Sequence, residues 1–347
     1  MRIAIVNDMM MAAECLRRVV ADHPGYEVAW MAKNGAEAIE KCLVDRPDLI
    51  LMDMVMPVMG GAEATRQIMA QCPCPILVVT SSLDANAALV FETMGAGARD
   101  AVKTPVLSSS HGTTDVDEFL RKVDMLHRLS SYEAADELKS TQQLAANCSR
   151  PHRGNPLIVI GASSGGPNAL ETVISNLPQS IVAPVVVVQH IDANFSRELA
   201  QWLDKNCLIK VRLAEAGQRP RVGQVYIADA HKHLAIDEMG LFRYDEVEEW
   251  HAYQPSVDVF FESVASNWRG DVIAVMLTGM GRDGAKGMLG LHRAGHYTIA
   301  QNEASCAVFG MPKAAIEAGA VIDILPLDRV APTLLAHLIE IGLRKAI

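Results

Sequence analysis

The feature of this chain that most constrains its fold is a repeated alternation of short apolar runs with helix-length stretches. The runs are rich in β-branched residues and fall into two groups, Ile3–Val6, Val28–Met31, Leu49–Met52, Ile76–Thr80 and Asp100–Val102, then Leu157–Ile160, Val185–Gln189, Val272–Leu277, Tyr297–Ala300 and Val321–Ile324. Strands separated by helix-length stretches need crossover connections, and right-handed crossovers build doubly wound parallel sheets. The sequence therefore predicts two α/β domains.

The segment between the two groups has the composition of a linker. Residues 130–154 are rich in Ser, Ala, Gln and Asn, and they follow a predicted closing helix, Asp115–Leu129. We therefore predict one domain over residues 1–129, a partly helical linker over 130–154, and a second domain over 155–347.

One stretch of the second domain departs from the alternation. Val211–Tyr244 contains three short apolar runs separated by Gly and Asp, which are Gln224–Ile227, His233–Ile236 and Leu241–Tyr244. Such runs with turn residues between them are typical of antiparallel hairpins. We predict an antiparallel hairpin region inserted into the second domain.

Charge and apolar patterning exclude several classes of partner. The formal net charge is −10 and the sequence pI is about 5.6, whereas nucleic acids and anionic membranes attract basic surfaces. No apolar run approaches the roughly 20 residues of a membrane span, and Met1–Val6 is predicted to be a strand and not part of a signal peptide. We predict a cytoplasmic protein that binds no nucleic acid and does not insert into membranes.

The 7 cysteines are scattered along the chain. Cys72 and Cys74 lie close together, but no second pair completes a zinc site. We predict reduced structural thiols.

Polar residues follow four strands of the predicted first sheet. Asn7 and Asp8 follow the first strand, Asp53 the third, Thr80 ends the fourth, and Lys103 follows the fifth. Because the carboxyl ends of parallel strands share one edge of the sheet, these side chains should converge there. Carboxylates can hold Mg²⁺, and a lysine with a hydroxyl can hold phosphoryl oxygens. The pattern indicates formation of an acyl phosphate on Asp53.

The second domain begins with a glycine-lined turn that carries two hydroxyls. Gly161–Pro167 follows the apolar run Leu157–Ile160 and contains Ser163 and Ser164. A strand-to-helix turn of small residues can present a nucleophile close to the backbone amides of the next helix. The alternative is a phosphate loop, although the turn lacks a following Lys-Ser or Lys-Thr and the full dinucleotide spacing.

A nucleophilic serine needs a general base and a group that orients the base. His190 follows the apolar strand Val185–Gln189, and Asp283 lies in the glycine loop after Val272–Leu277. Serine, histidine and aspartate near three strand ends of one sheet favour a hydrolase. Each also has a structural interpretation, since His190 could be a satisfied strand-end histidine and Asp283 an N-cap of a helix over Gly284–His292.

Five further histidines could in principle form a metal cluster, but their scatter over turns disfavours one. They are His231, His233, His251, His292 and His296.

The first domain resembles response-regulator receiver domains over about Met1 to Leu129. Leu51–Gly61 resembles their phosphoacceptor loop. The resemblance implies a flavodoxin-like fold in which Asp53 accepts phosphate, Asp8, Asp53 and the Val55 carbonyl bind Mg²⁺, and Thr80 and Lys103 respond to phosphorylation. The family usually has two acidic residues at the first position. Asn7 takes one of these places, which should weaken the affinity for the metal.

Several motifs of the second domain resemble the CheB family of protein-glutamate methylesterases, over about Asn155 to Ile347. They are Gly161–Gly166, Gln189-His190, Pro255–Asp258, Leu277–Gly284 and Phe309–Pro312, and they stand in the family's order behind a receiver domain. The resemblance implies a Rossmann-like catalytic domain with Ser163 as nucleophile, His190 as general base and acid, and Asp283 as its orienter. It also places Ser164 in the site, assigns the Met280 backbone amide to the oxyanion, and implies no cofactor for the esterase.

The family resemblance also implies partners and regulation. Methylated chemoreceptors would be the substrate and a CheA-type histidine kinase the phosphodonor, with glutamine deamidation as a second activity. The protein would act as a monomer in peripheral contact with receptor arrays, and its unphosphorylated receiver domain would cover the catalytic cleft. Two departures affect receptor specificity: residues 191–195 lack a proline often found there, and Asp229 stands where proline is expected.

Two competing functions follow from the same residues. A non-catalytic signalling adaptor would keep the fold and bind receptors or kinase without turnover, but all three triad positions are filled. A nucleotide-binding Rossmann domain would need an acidic residue at the end of the second strand. His190 follows that strand instead.

Overall fold

The computed structural model describes residues 1–81, 87–105, 116–117, 119–124, 126, 154–191, 195–245 and 255–345. It divides into two compact units, Met1–Ser140 and Thr141–Ile347. The predicted linker lies outside the described residues except for Gly154, and its boundaries stay a prediction.

The first unit is built on a five-stranded parallel sheet, as predicted. Its order is β2-β1-β3-β4-β5, with strands β1 Arg2–Val6, β2 Glu27–Ala32, β3 Leu49–Met52, β4 Ile76–Thr80 and β5 Asp100–Lys103. The connecting helices are α1 Met10–Asp22, α2 Gly35–Val44, α3 Gly61–Gln71 and α4 Ala87–Gly95. Every residue of β3 and β4 is buried. Strands covered on both faces need continuous apolar runs, which is why these segments stand out in the sequence.

The second unit is built on a seven-stranded sheet in the order β14-β13-β12-β6-β7-β9-β8. Its strands are β6 Leu157–Ala162, β7 Val185–Gln189, β8 Lys210–Leu213, β9 Gln224–Ile227, β12 Val272–Met276, β13 Tyr297–Gln301 and β14 Asp323–Leu325. Its helices are α5 Gly166–Ser175, α6 Ser196–Asn206, α7 Val257–Asn267, α8 Ala285–Arg293, α9 Met311–Glu317 and α10 Leu327–Lys345. All paired strands of this sheet run parallel.

The order of the second sheet creates a switch point at β6. From β6 the chain continues to β7 on one side and returns later to β12 on the other. Open α/β sheets bind ligands in the crevice at the carboxyl ends of the strands where the winding reverses. The serine turn follows β6, so it opens into that crevice.

The prediction of an antiparallel hairpin region is confirmed for two of its three strands and wrong for the third. β10 His233–Ile236 and β11 Phe242–Asp245 form an antiparallel hairpin, but β9 Gln224–Ile227 pairs in parallel with β7 and β8 in the main sheet. Three of the four β9 residues are buried. A short buried run fits either arrangement, because its periodicity does not encode the direction of its partner.

Candidate functional site

The serine turn is closed tightly around two glycines. Gly165 has a φ of 75°, and a Cβ on it would lie 2.5 Å from the Ala307 Cβ. A Cβ on Gly166 would overlap the side-chain oxygen of Gln189. The Ser163 N–H donates to the Thr278 carbonyl (3.0 Å), and the Gly166 N–H donates to the Ser163 carbonyl (2.7 Å). The backbone of Ser163 is therefore bound on both sides.

His190 lies beside Ser163 at the same edge of the sheet. Ala162 of β6 pairs with Gln189 of β7, so Ser163 and His190 are the first residues beyond two paired strand ends. The His190 N–H donates to the Ala162 carbonyl (2.9 Å). His190 Nε2 lies 2.7 Å from Asp283 Oδ2, and the two side chains are 11% and 5% exposed.

Asp283 accepts hydrogen bonds from four groups. Besides His190, these are Ser256 Oγ (2.9 Å), the Val257 N–H (2.6 Å) and the Asp258 N–H (3.2 Å). Burial alone would raise the pKa of Asp283, but the His190 hydrogen bond and charge and the Val257 and Ser256 donors outweigh it and hold the pKa below its usual value. The carboxylate thus stays ionised and orients His190 with Nε2–H as the donor.

The structural interpretation of Asp283 as an N-cap is wrong for the predicted helix. That helix, α8, begins at Ala285 behind Gly284, and Asp283 instead binds the first amides of α7. In return, Asp258 of α7 accepts from the Gly287 N–H of α8 (2.7 Å). The amino end of α7 thus binds the Asp283 carboxylate, and the amino end of α8 binds the Asp258 carboxylate. The helix dipole stabilises negative charge at both positions.

The motif Pro255–Asp258, to which the sequence pattern assigns no role, supplies a hydrogen-bond partner of Asp283. Ser256 is the N-cap of α7, since its Oγ accepts from the Val259 N–H (3.3 Å), and the same hydroxyl donates to Asp283. A serine directly before a helix is a local capping signal, so the N-cap role of Ser256 is predictable from the sequence. Its contact with Asp283 is not, because the two residues are 27 positions apart.

Asp258→Asn should flatten the dependence of stability on pH. Burial raises the pKa of Asp258 to about 6, against the Gly287 N–H bond and with help from the Asp283 charge. Between the ordinary value of 3.8 and about 6, the folded protein binds more protons than the unfolded chain, so stability falls as pH rises through that window. We expect the asparagine to remove this fall and to raise the free energy of unfolding at pH 8 by about 1–2 kcal/mol.

Urea unfolding of both proteins at several pH values between about 4 and 8 measures this effect, since the difference between the two curves isolates Asp258. Equal slopes for the variant and the unsubstituted protein would contradict the assignment.

The loop that carries Met280 packs directly on Ser163. A Cβ on Gly279 would lie 2.8 Å from the Ser163 Cβ and 3.0 Å from its backbone nitrogen. The Gly279 carbonyl accepts from the Gly310 N–H (3.0 Å) and the Met311 N–H (2.8 Å). These bonds fix the peptide group that also contains the Met280 N–H. The Met280 N–H is thus held in a loop that packs on Ser163, and its role as an oxyanion donor stays a prediction.

Ser164 is held through its backbone. Its carbonyl accepts from Thr278 Oγ1 (3.0 Å), and the same hydroxyl accepts from the Val308 N–H (2.9 Å). The role predicted for its own hydroxyl stays a prediction.

The first unit brings its predicted residues to one edge as well. Asp8, Asp53, Thr80 and Lys103 follow or end β1, β3, β4 and β5, which are neighbours in the sheet. The Asp53 N–H donates to the Val6 carbonyl (2.9 Å), and Thr80 lies opposite Lys103 in the register. The carboxyl ends of four adjacent strands thus form one polar site.

The charges at this edge suit a divalent cation. Burial raises the pKa of Asp53, the Asp8 charge raises it further, and the Met54 and Val55 amides oppose both. Two carboxylates with this mutual repulsion, together with a backbone carbonyl, match the oxygen ligands that Mg²⁺ takes along with waters. Asn7 is engaged differently, since its side-chain oxygen accepts from the Met9 N–H (2.8 Å).

Some predicted features fall outside the described residues. These include His251, residues 192–194 of the loop after His190, and parts of the predicted closing helix. The described residues of that helix, 116–117, 119–124 and 126, are helical. Within the described ranges, no group of three or more His, Cys, Asp or Glu side chains is arranged to hold a metal ion. In the same ranges, no helix combines the length and apolarity that a membrane crossing requires.

Comparison with known proteins gives consistent results for the two units. The family model of the CheB methylesterase matches residues 158–334, and that of the response regulator receiver domain matches residues 3–110. A protein-glutamate methylesterase/protein-glutamine glutaminase of Burkholderia thailandensis is 45% identical over 336 residues, 97% of either chain. One of Pseudomonas aeruginosa is 45% identical over 334 residues, covering 96% of this chain and 98% of the relative.

A solved structure matches the second unit. The crystal structure of the CheB methylesterase catalytic domain of Thermotoga maritima is 38% identical, with a TM-score of 0.51, and the match covers 53% of this chain and 99% of that one.

Proposed function

The chain belongs to the CheB methylesterase family, and we propose that it hydrolyses glutamyl methyl esters on chemoreceptors and deamidates receptor glutamines to glutamate. Curated relatives that span nearly the whole chain are named for both reactions. The observation that carries the proposal is that Ser163 and His190 follow the paired ends of β6 and β7 at the switch point of the second sheet, with 2.7 Å between His190 Nε2 and Asp283 Oδ2.

The proposed mechanism is acyl transfer through Ser163. His190 takes the hydroxyl proton as Ser163 attacks the side-chain carbonyl of the esterified glutamate, and the Asp283 carboxylate stabilises the resulting imidazolium. Because Nε2 faces Asp283, the exchanging nitrogen is Nδ1. His190 then gives the proton to the departing methoxide, so that methanol is released and an acyl-enzyme remains. His190 next takes a proton from a water molecule as the water attacks the acyl-enzyme. This step releases glutamate and restores Ser163.

Backbone amides supply the remaining stabilisation. The Met280 N–H and the amides of the glycine turn would bind the oxyanion of each tetrahedral intermediate, a contribution of about 3 kcal/mol per donor. Deamidation uses the same groups, with His190 protonating the departing amide nitrogen, which leaves as ammonia. Apart from water and the substrate, every group in these steps belongs to the chain, so we propose that the esterase uses no cofactor.

We propose that the receiver domain regulates this activity. Asp53 would accept a phosphoryl group from a CheA-type histidine kinase. Asp8, Asp53 and the Val55 carbonyl would hold Mg²⁺, which supplies positive charge against the phosphoryl oxygens, and Thr80 and Lys103 would bind the transferred group. The unphosphorylated receiver would cover the catalytic cleft. The setting would be the cytoplasm, with a monomer in peripheral contact with receptor arrays and no bound nucleic acid.

A small-molecule phosphodonor with Mg²⁺ should raise methanol release from methylated receptor membranes several-fold. Asp53→Asn keeps the size of the side chain but cannot form the acyl phosphate, so it should abolish the response and leave basal release unchanged. Methanol is measured as a volatile product from receptors carrying a labelled methyl group. Stimulation that persists in Asp53→Asn would remove the proposed role of this aspartate.

A second comparison tests inhibition by the receiver domain. The segment from Gly154 onward should release methanol faster than the full unphosphorylated chain. Equal rates would contradict inhibition, and receptor binding without any methanol release by either protein would favour the adaptor.

A further inference from the structure

Gln189 is a buried polar residue to which the mechanism assigns no role. It ends β7, pairs with Ala162 of β6, and is 2% exposed. Polar residues at the end of a strand usually reach solvent, whereas this side chain stays between the ends of two strands. Burying an amide is unfavourable unless its hydrogen bonds are made inside the protein.

The Gln189 amide joins the backbones of the two residues that would exchange a proton. Its Nε2 donates to the Ser163 carbonyl (2.7 Å) and to the His190 carbonyl (2.9 Å). The first carbonyl belongs to the turn after β6 and the second to the loop after β7. One side-chain group therefore bridges the first residue beyond each strand.

The remaining contacts of the amide show that the bridge is not merely a way to satisfy a buried polar group. Among the described residues, Gln189 Oε1 is buried without a hydrogen-bond donor, and it faces the Cα of Gly166. A Cα–H contact of this kind is weak. An apolar side chain of similar size would avoid burying this acceptor. What a glutamine adds at this position is therefore the two hydrogen bonds that its Nε2 donates.

These bonds complete the restraints on both residues. The Ser163 N–H is bound by Thr278 and its carbonyl by Gly166 and Gln189. The His190 N–H is bound by Ala162 and its carbonyl by Gln189. Fixing the peptide planes on either side of a residue fixes the direction of its Cα–Cβ bond, and proton transfer is sensitive to displacements of about 1 Å.

We propose that Gln189 is a positioning residue that holds Ser163 and His190 in register for proton transfer by bridging their backbone carbonyls. The inference rests on the proposed function in that it takes Ser163 as nucleophile and His190 as base. It acts before any substrate binds, so it concerns kcat and the reactivity of Ser163 and not the affinity for receptor.

Gln189→Met tests the bridge, because it keeps the length of the side chain and removes both donors. We expect kcat for methanol release to fall at least about tenfold with KM within about twofold. The rate at which a fluorophosphonate labels Ser163 should fall by a similar factor. The phosphonate needs no receptor, so this rate reports on positioning even if the unsubstituted protein released no methanol.

Gln179→Met is the matched control. Gln179 Nε2 also donates to a backbone carbonyl, that of Leu208 (2.7 Å), but it precedes β7 at the opposite end of the strand. It should leave both rates unchanged. Unchanged rates in a folded Gln189→Met protein, equal losses in the two methionine variants, or an effect on KM alone would overturn the proposal.

Gln189→Glu gives a second signature. An ionised carboxylate would set an acceptor against two carbonyl oxygens, whereas a protonated one can donate to one of them. The activity of this variant relative to the unsubstituted protein should therefore rise as pH falls, and a constant ratio would argue against the bridge. If neither variant folds, the side-chain amide protons of Gln189 in the ¹⁵N-labelled protein decide. Slow exchange and a shift upon phosphonate labelling support the bridge, and fast exchange without a shift refutes it.

Discussion

Ser163→Ala should abolish methanol release, with a loss of roughly 10⁴-fold or more. Alanine removes the atom that attacks the ester and leaves His190, Asp283 and the Met280 amide in place, so only binding and oxyanion stabilisation remain. The backbone bonds of residue 163 do not involve its side chain. The variant should therefore fold with unchanged thermal stability. Methanol release and labelling by a fluorophosphonate, with the labelled peptide identified by mass spectrometry, measure the effect.

Ser164→Ala is the matched control, since it removes the neighbouring hydroxyl of the same turn. The contact of residue 164 with Thr278 is made by its backbone carbonyl and survives the substitution. We expect a measurable rate of methanol release and a phosphonate adduct on Ser163. An inactive Ser164→Ala together with an active Ser163→Ala would show that the two serines have the opposite roles.

The residues of the candidate site could be found in the sequence because they follow long apolar strands. Val185–Gln189 is buried throughout, and a run of this kind shows where a strand ends and which residue comes next. In a parallel sheet, His190 and the serine turn must share an edge. The β6–β7 pairing places them there.

Relationships across the sheet could not be found in the same way. The sequence pattern of Gln224–Ile227 predicts a hairpin strand, whereas β9 lies between β7 and β8. The prediction is wrong because a short and mostly buried run carries no information about its partner. The hydrogen bonds of Asp283 to α7 and of Asp258 to α8 cannot be predicted from the sequence for the same reason. The two residues, Asp258 and Asp283, meet only after both helices have packed.

Gln189 shows a third limit of sequence reasoning. The sequence pattern predicts that it ends a strand, and the motif Gln189-His190 places it next to His190. Its burial and its bond to Ser163, 26 residues away, depend on the pairing of β6 with β7. A glutamine at the end of an apolar run is usually solvated, and nothing in the local pattern indicates that this one is buried.

Asp283→Asn should have the second largest effect on activity. The carboxylate accepts from His190 Nε2, Ser256 Oγ and two backbone N–H groups, and it supplies the negative charge that stabilises the imidazolium. Asparagine has one acceptor oxygen where aspartate has two. If its NH₂ faces His190, the histidine is held in the wrong tautomer. If it faces Ser256, the oxygen still accepts from His190 but the charge is lost. Either orientation impairs proton transfer.

We therefore expect Asp283→Asn to lower kcat for methanol release by about 10³-fold or more, with little change in KM. It should also lower the free energy of unfolding, because an NH₂ group then faces an N–H of α7. Asp258→Asn is the matched control, since it makes the same chemical change in the neighbouring carboxylate, which binds Gly287. It should keep activity within a few-fold of the unsubstituted protein. A folded Asp283→Asn protein with activity within tenfold would show that His190 works without this carboxylate, and similar losses in both variants would indicate a disturbed α7–α8 contact.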